Sequence, residues 1–362
     1  MISHLSEKKS NKSSYTGAGT ALRLVLALCF FGVLTGCGKA TSNLDAAYES
    51  LANLDYDGAL GSLANAENAG EDPRQIGRAE GIAYIGKAEY SSAVESFIES
   101  LHSGTGYPDD MDIDTNYYLA AAYDSMGDYV SAEDRYNAII GISDETGCYL
   151  LRASVRLKQG NYEGALGDFN VVKSRNPNDY DTLINIYEML SESGYKEAGL
   201  EFISSAINDD SGKMTDSERG RMYYYMGEYT QAAALLESAR NADQTVVSSL
   251  FLGRTYEAMG EYNYAANVYE SYIGSKGASS ELYDQLGLCR LKMGEYEAAL
   301  EAFRAGLEAD DGSFAKSLEY NMAVAYEYIS DFETARNMLT EYISKYPDDE
   351  DAARELEFLA TR

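Results

Sequence analysis

An aromatic residue followed three positions later by alanine recurs nine times in this chain: Tyr56/Ala59, Tyr90/Ala93, Tyr129/Ala132, Tyr162/Ala165, Tyr195/Ala198, Tyr229/Ala232, Tyr262/Ala265, Tyr296/Ala299 and Phe332/Ala335. Successive alanines are 34, 39, 33, 33, 34, 33, 34 and 36 residues apart. A chain with such a period must bury its apolar surface between copies of one small unit, because no unit is large enough to hold a core alone. Four and seven residues after each alanine stands another member of one stripe, from Leu63 and Ala66, Phe97 and Ser100, Tyr136 and Ile139 through Phe169 and Val172, Phe202 and Ser205 to Leu339 and Tyr342. That spacing predicts a helix beginning near each aromatic.

Upstream of each such helix, which we term helix B, a second helix A is marked by a small residue with a long or aromatic one three later. Examples are Gly81/Tyr84, Ala120/Tyr123, Gly220/Tyr223, Gly253/Tyr256, Gly287/Arg290 and Ala323/Tyr326. Small residues here and at the alanine positions let neighbouring helices approach closely, with the tyrosine expected to fill the wedge. Between A and B lies a tight turn, as in Met126-Gly127-Asp128-Tyr129, Met226-Gly227-Glu228-Tyr229, Met259-Gly260-Glu261-Tyr262 and Met293-Gly294-Glu295-Tyr296. Glycine can take the left-handed conformation that ends helix A. The acid before the aromatic (Asp55, Glu89, Asp128, Glu228, Glu261, Glu295, Asp331) meets the positive end of helix B. These acids are therefore read as helix-start chemistry rather than as a ligand signal.

The small residue, aromatic, turn glycine, second aromatic and alanine resemble the tetratricopeptide repeat, a helix-turn-helix unit of about 34 residues. Its leading tryptophan is missing throughout, and its helix-B proline appears only as Pro177 and Pro347. The resemblance implies an all-α fold: a right-handed superhelical solenoid of about nine repeats over residues 40–349, closed by a polar capping helix within 350–362. A two-lobed solute-binding fold would need alternating β and α segments, and no β-rich stretch separates the repeats. The largest excess over the period is five residues, too few for an inserted catalytic domain.

Ahead of the repeats, Lys8, Lys9, Lys12 and Arg23 precede an apolar run of eleven residues, Leu24 to Leu34. A membrane-spanning helix needs about twenty apolar residues, whereas a signal-peptide core needs about seven to fifteen. The run ends in Leu34-Thr35-Gly36-Cys37, which resembles the lipobox of bacterial lipoproteins. That resemblance implies a cleaved signal peptide over 1–36, lipidation of Cys37 and a short lipid-anchored linker over 37–45. It implies an extracytoplasmic location on the bacterial cell membrane, or on the outer membrane of a two-membrane cell, which Gly38 allows.

The net charge is −30, from 29 Lys+Arg against 59 Asp+Glu. Binding phosphate needs clustered cations, so a nucleic-acid partner is excluded. Only two histidines occur, and His102 is the one beyond the leader, which removes most triad and zinc chemistry. Asp109, Asp110, Asp112 and Asp114 alternate like a calcium loop, but Thr115 replaces its glycine and Ala121 its bidentate glutamate. The run is read as a solvated turn capping the next helix. Cys148 and Cys289 are read as buried helical thiols rather than a disulfide. No catalytic residue, metal site or cofactor is indicated, so the chain is read as a binding protein.

In tetratricopeptide proteins the concave groove is lined by helix A, and the resemblance carries that register to this sequence. It implies a tyrosine-rich groove formed by Tyr117 with Asp114 and Asp124, Tyr180 with Leu183 and Tyr187, Arg221 with Tyr224 and Tyr225, Arg254 with Glu257, Glu281 with Asp284, and Tyr320 with Glu327 and Tyr328. Tyrosine supplies amphipathic contact area at low entropic cost. Lys158 and Lys292 stand alone at these positions, which disfavours a clamp for a terminal carboxylate. The partner implied is a protein or peptide segment of cationic character, in cell-envelope assembly. The alternative is capture of cell-wall glycan or peptide on the tyrosines.

Overall fold

The computed structural model describes residues 42–104, 106–309 and 312–360, so Cys37 and its leader lie outside the described residues. Every regular element among them is a helix, and they divide into two compact units, 1–199 and 200–362. The first holds α1 (Asn43–Ala52), α2 (Tyr56–Asn68), α3 (Pro73–Gly86), α4 (Tyr90–His102), α5 (Asp110–Ser125), α6 (Tyr129–Ser143), α7 (Thr146–Lys158), α8 (Tyr162–Arg175) and α9 (Tyr180–Glu192). The boundary falls within α10 (Lys196–Asp209). The second holds α11 (Asp216–Tyr225), α12 (Tyr229–Ala242), α13 (Val246–Ala258), α14 (Tyr262–Lys276), α15 (Ser280–Met293), α16 (Tyr296–Ala309), α17 (Ala315–Tyr328), α18 (Phe332–Lys345) and α19 (Glu350–Leu359). Odd-numbered helices up to α17 are the A helices and even-numbered ones the B helices. None is long and apolar enough to cross a membrane among the described residues.

From α1 to α8, and again from α11 to α19, each helix packs on the next in sequence. Successive A helices also touch, α1 with α3 and α5 in turn, and α11 with α13, α15 and α17. The repeat alanines are the innermost residues, Ala59, Ala93, Ala132, Ala165, Ala232, Ala265, Ala299 and Ala335 all being fully buried. The wedge over the helix-A glycine is filled by a different ring from the one the sequence suggested. A Cβ on Gly81 would lie 2.4 Å from the ring of Phe97, and one on Gly253 or Gly287 would lie 2.2 Å from Tyr269 or Phe303. Those rings belong to helix B, four residues after its alanine. The helix-A tyrosines Tyr84, Tyr123, Tyr223, Tyr256 and Tyr326 are only half-buried.

In the fifth hairpin the repeat is shifted by one residue from Tyr195/Ala198. Tyr195 stands at the cap, its N–H donating to the Leu190 carbonyl at 2.7 Å, and α10 begins at Lys196. The close-packed position is Gly199, where a Cβ would meet Tyr187 at 3.0 Å. Ile203 rather than Phe202 is the fully buried member of the stripe.

The turns follow one pattern. Gly127, Gly160, Gly194, Gly227, Gly260 and Gly294 have φ between 76° and 89°. In the sixth hairpin the Gly227 N–H donates to the Tyr224 carbonyl and the Glu228 N–H to that of Tyr223, which closes the helix end. Leu54, Ala88 and Ser330 take the same left-handed place with φ of 58°, 58° and 64°. A side chain there costs about 1–2 kcal/mol. Leu54→Gly, Ala88→Gly and Ser330→Gly are each expected to stabilise by about 1 kcal/mol after glycine's own entropic cost. A urea titration showing an unchanged or lower midpoint would contradict this.

The acids at the start of helix B divide by length. Asp55, Asp128 and Asp331 accept from the N–H three residues on, at 2.9, 3.1 and 3.1 Å. Glu89, Glu228 and Glu261 make no such side-chain bond. The extra methylene carries the carboxylate past its own helix end, so the helix-start reading holds as a cap only for the aspartates. At the other end of the chain, α19 buries Ala352 and Leu359 and turns Glu350, Arg354 and Glu357 outward. Asp349 secures it by capping Ala352 at 3.1 Å and accepting from the Tyr342 hydroxyl at 2.7 Å.

Candidate binding surface

In the unit 200–362, residues 221, 224 and 225 share one face of α11 through their three- and four-residue spacing. Phe251 on α13 is the hub beside them. Tyr224 and Tyr225 meet its ring edge-on at 5.5 and 5.7 Å, and each other at 5.3 Å. The guanidinium groups of Arg221 and Arg254 lie 5.2 and 5.8 Å from the same ring, in range for cation–π attraction. Arg254 also reaches Glu281 on α15 at 3.2 Å. Tyr224, Tyr225, Arg221 and Arg254 are all half-exposed, while Phe251 is buried beneath them. Sequence reasoning missed Phe251, although its place three residues before Arg254 puts both on one helical face.

Two acids of this face are bonded, Glu257 half-buried and Asp284 buried. The Tyr269 hydroxyl donates to Glu257 at 2.5 Å. Asp284 accepts from Ser317 at 2.7 Å and Asn321 at 2.8 Å, tying α15 to α17. Burial pushes the Asp284 carboxyl up to about 6, against the pull of those two donors. A carboxyl that holds its proton longer when folded contributes stability that is complete below about pH 4, its unfolded value. That stability is lost as pH rises through about 6, an effect on the order of 3 kcal/mol by pH 7. Asp284→Asn mimics the protonated form, so the stability gap between it and the parent should open between pH 4 and 7 in the variant's favour. A gap independent of pH, measured by urea titration, would contradict the assignment.

In the unit 1–199 the corresponding face is largely satisfied by its own residues. Arg78 on α3 pairs with Asp114 on α5 and lies 5.6 Å from the Tyr118 ring. The Tyr117 hydroxyl donates to Glu145 at 2.8 Å. Lys158 on α7 meets both oxygens of Asp124 on α5 at 2.6 Å, so this lysine is already neutralised. Asp124 and Glu257 hold the same place in their repeats, as do Tyr136 and Tyr269. The longer Glu257 reaches its tyrosine. The Tyr136 hydroxyl is buried without a hydrogen bond, because the shorter Asp124 is engaged by Lys158.

Three of the tyrosines the sequence placed in the groove belong to the core instead. Tyr180, Tyr187 and Tyr320 are 3%, 6% and 6% exposed. Tyr187 packs on Gly199, and Tyr320 lies 5.7 Å from Tyr342. Tyr328 is half-exposed and stacks on Tyr296 at 5.1 Å. The face that presents aromatic surface thus centres on Arg221, Tyr224, Tyr225 and Arg254.

The other titratable groups singled out in the sequence have structural work. Asp109 caps the N–H groups of Met111 and Asp112, and Arg74 pairs with both Asp109 and Asp112. His102 is exposed at the end of α4. Cys148 and Cys289 are free and buried, and burial pushes the Cys148 thiol up to about 12. That leaves it protonated and unreactive at neutral pH.

Two family models, both described as tetratricopeptide repeat, match residues 280–312 and 317–349. No curated protein matches the chain. Similar solved structures include a tetratricopeptide repeat protein from Parabacteroides merdae, 14% identical, covering 78% of this chain and 97% of that one at a TM-score of 0.47. Another is TTC0263, a thermophilic tetratricopeptide protein of Thermus thermophilus, 15% identical, with coverages of 51% and 100% and a TM-score of 0.43. A third is YrrB, a tetratricopeptide protein with an unusual peptide-binding site, 26% identical, with coverages of 52% and 97% and a TM-score of 0.36. The matched segments are the hairpins α15–α16 and α17–α18, which are thus identified as tetratricopeptide repeats, and the earlier hairpins repeat their turn, small-residue and ring positions.

Proposed function

We propose that the protein is a non-catalytic scaffold, held on the outer face of a bacterial membrane by lipid on Cys37, that binds another protein or peptide in cell-envelope assembly. The observation that carries the binding reading is the half-exposed cluster of Arg221, Tyr224, Tyr225 and Arg254 around Phe251. Aromatic and arginine side chains that keep exposed area while fixed by their neighbours are the residues that dominate polypeptide interfaces. The net charge of −30 favours a partner of cationic character through long-range attraction. The membrane part of the reading rests on the order of charge, apolar run and Leu34-Thr35-Gly36-Cys37 in the sequence.

Capture from cell-envelope extract tests the binding reading. The intact chain should retain a protein that Tyr224→Ala plus Tyr225→Ala, verified as folded by circular dichroism, retains at least tenfold less, the loss expected when two interface anchors are truncated. Retention of glycan without protein would overturn it in favour of the capture alternative. Mass spectrometry of the N-terminal peptide tests the anchor: a diacylglyceryl-modified Cys37 is expected, and an intact leader with a free thiol would contradict it.

A further inference from the structure

The unit 1–199 contains a cleft of about 590 Å³ at the ends of three successive A helices. The last turns of α5, α7 and α9 meet there, bringing Asp124, Met126, Lys158, Met189 and Glu192 together with Tyr129 from the start of α6. The apolar part of the wall is Met126, Leu157, Met189 and the Tyr129 ring. Methionine is flexible and polarizable, so such a wall adapts to an aliphatic stem of varying path. Met126 is 47% exposed, which leaves its side chain available.

The electrostatics of the cleft have one sign. Asp124 and Lys158 cancel each other through their double contact, and Lys158 is further held 5.8 Å from the Tyr129 ring. Glu192 has no hydrogen-bond or ion-pair partner among the described residues, and burial with the nearby Glu188 charge raises its carboxyl above the usual range. Each helix C-terminus adds the equivalent of about half a negative charge. Three such ends, with Glu192 and no uncompensated cation, make an opening that attracts positive charge and repels carboxylates.

We propose that this cleft receives a basic side chain, lysine or arginine, of a partner polypeptide, with its stem against Met126, Met189 and Tyr129 and its charged head at Glu192. This deepens the scaffold reading by giving the partner a cationic anchor, and it concerns a part of the molecule separate from the Tyr224/Tyr225 cluster. Lys158 does not compete for the place, because its own charge is spent on Asp124.

The test uses the full chain with methyl-labelled methionine, observed by NMR during titration with Nα-acetyl-arginine methylamide, Nα-acetyl-lysine methylamide and, as control, Nα-acetyl-glutamate methylamide. Met126→Leu and Met189→Leu assign the two signals. Both methyls are expected to shift saturably with the basic probes and not with the glutamate one. Met226 and Met259, which hold the turn position of Met126 in other repeats, should stay in place. Glu192→Gln should weaken binding about two- to fivefold, the range of a partly exposed ion pair, and Ser193→Lys at the rim should abolish it. Silence at Met126 and Met189, equal shifts at all methionines, or indifference to both variants would overturn the proposal. Silence here with the tyrosine-dependent capture intact would leave the scaffold reading standing, whereas loss of both would end it.

Discussion

Gly253→Ala or Gly287→Ala is expected to destabilise the protein by about 1–3 kcal/mol, the cost of forcing a methyl into a filled core. The reason is distance. The added Cβ would stand 2.2 Å from ring carbons of Tyr269 or Phe303, and neither ring has room to retreat because both are fully buried. In an open helix the same change is favourable by about 1 kcal/mol, since alanine is the better helix former. Gly61, Gly141, Gly167 and Gly274 provide that contrast, being helical with nothing within 4 Å of a built Cβ. Alanine there should stabilise. The two sets together test whether the ring-over-glycine contact, rather than glycine itself, is what the repeat requires. Shrinking the ring in Gly287→Ala plus Phe303→Leu should recover part of the loss. Urea titration gives the sign, and hydrogen exchange should show the loss concentrated in α15, α16 and their neighbours, as in a chain of locally coupled repeats.

A loss on the order of 3–5 kcal/mol is expected for Arg152→Met. Asp168 is 3% exposed and accepts from Arg152 Nε at 3.0 Å, from its terminal nitrogen at 2.6 Å and from Arg156 at 2.8 Å. Removing Arg152 takes away two of those three bonds and leaves a desolvated carboxylate with Arg156, which Glu133 also engages at 2.7 Å. Methionine keeps the aliphatic stem, so the loss reports the charge. Replacing Asp168 as well, in Arg152→Met plus Asp168→Leu, should recover most of the stability, because an apolar pair of similar volume carries no desolvation penalty. Equal losses in the single and double variants would show that the pair is packing rather than electrostatics.

The period, the hairpins and the turn glycines were legible in the sequence because each depends on residues within one repeat. Reading failed where two repeats, or two faces of one helix, decide the outcome. In the fifth hairpin Lys196 takes the aromatic's place, so the Tyr195/Ala198 pair drew the register one residue early; only the Tyr195 N–H bond to Leu190 fixes the helix start. The ring over Gly253 comes from the following helix B, and no spacing within helix A reveals it. Tyr180, Tyr187 and Tyr320 were misplaced because successive helical residues differ by about 100°, and a residue at the edge of a face belongs to groove or core according to its neighbours. Lys158 stands alone within its own repeat, and the structure pairs it with Asp124, 34 positions earlier in the preceding one. The family match itself covers only the last two complete hairpins, 280–312 and 317–349.

The half-exposed tyrosines of α11 are the proposed contact with a polypeptide partner. Replacing Tyr225 by the photo-crosslinker p-benzoylphenylalanine and irradiating in cell-envelope extract tests it most directly. A single protein adduct is expected from position 225 and none from the same crosslinker at Glu301, which is exposed on the outward side of α16. Equal adducts from both positions, or none from 225 in a protein that remains folded, would contradict it.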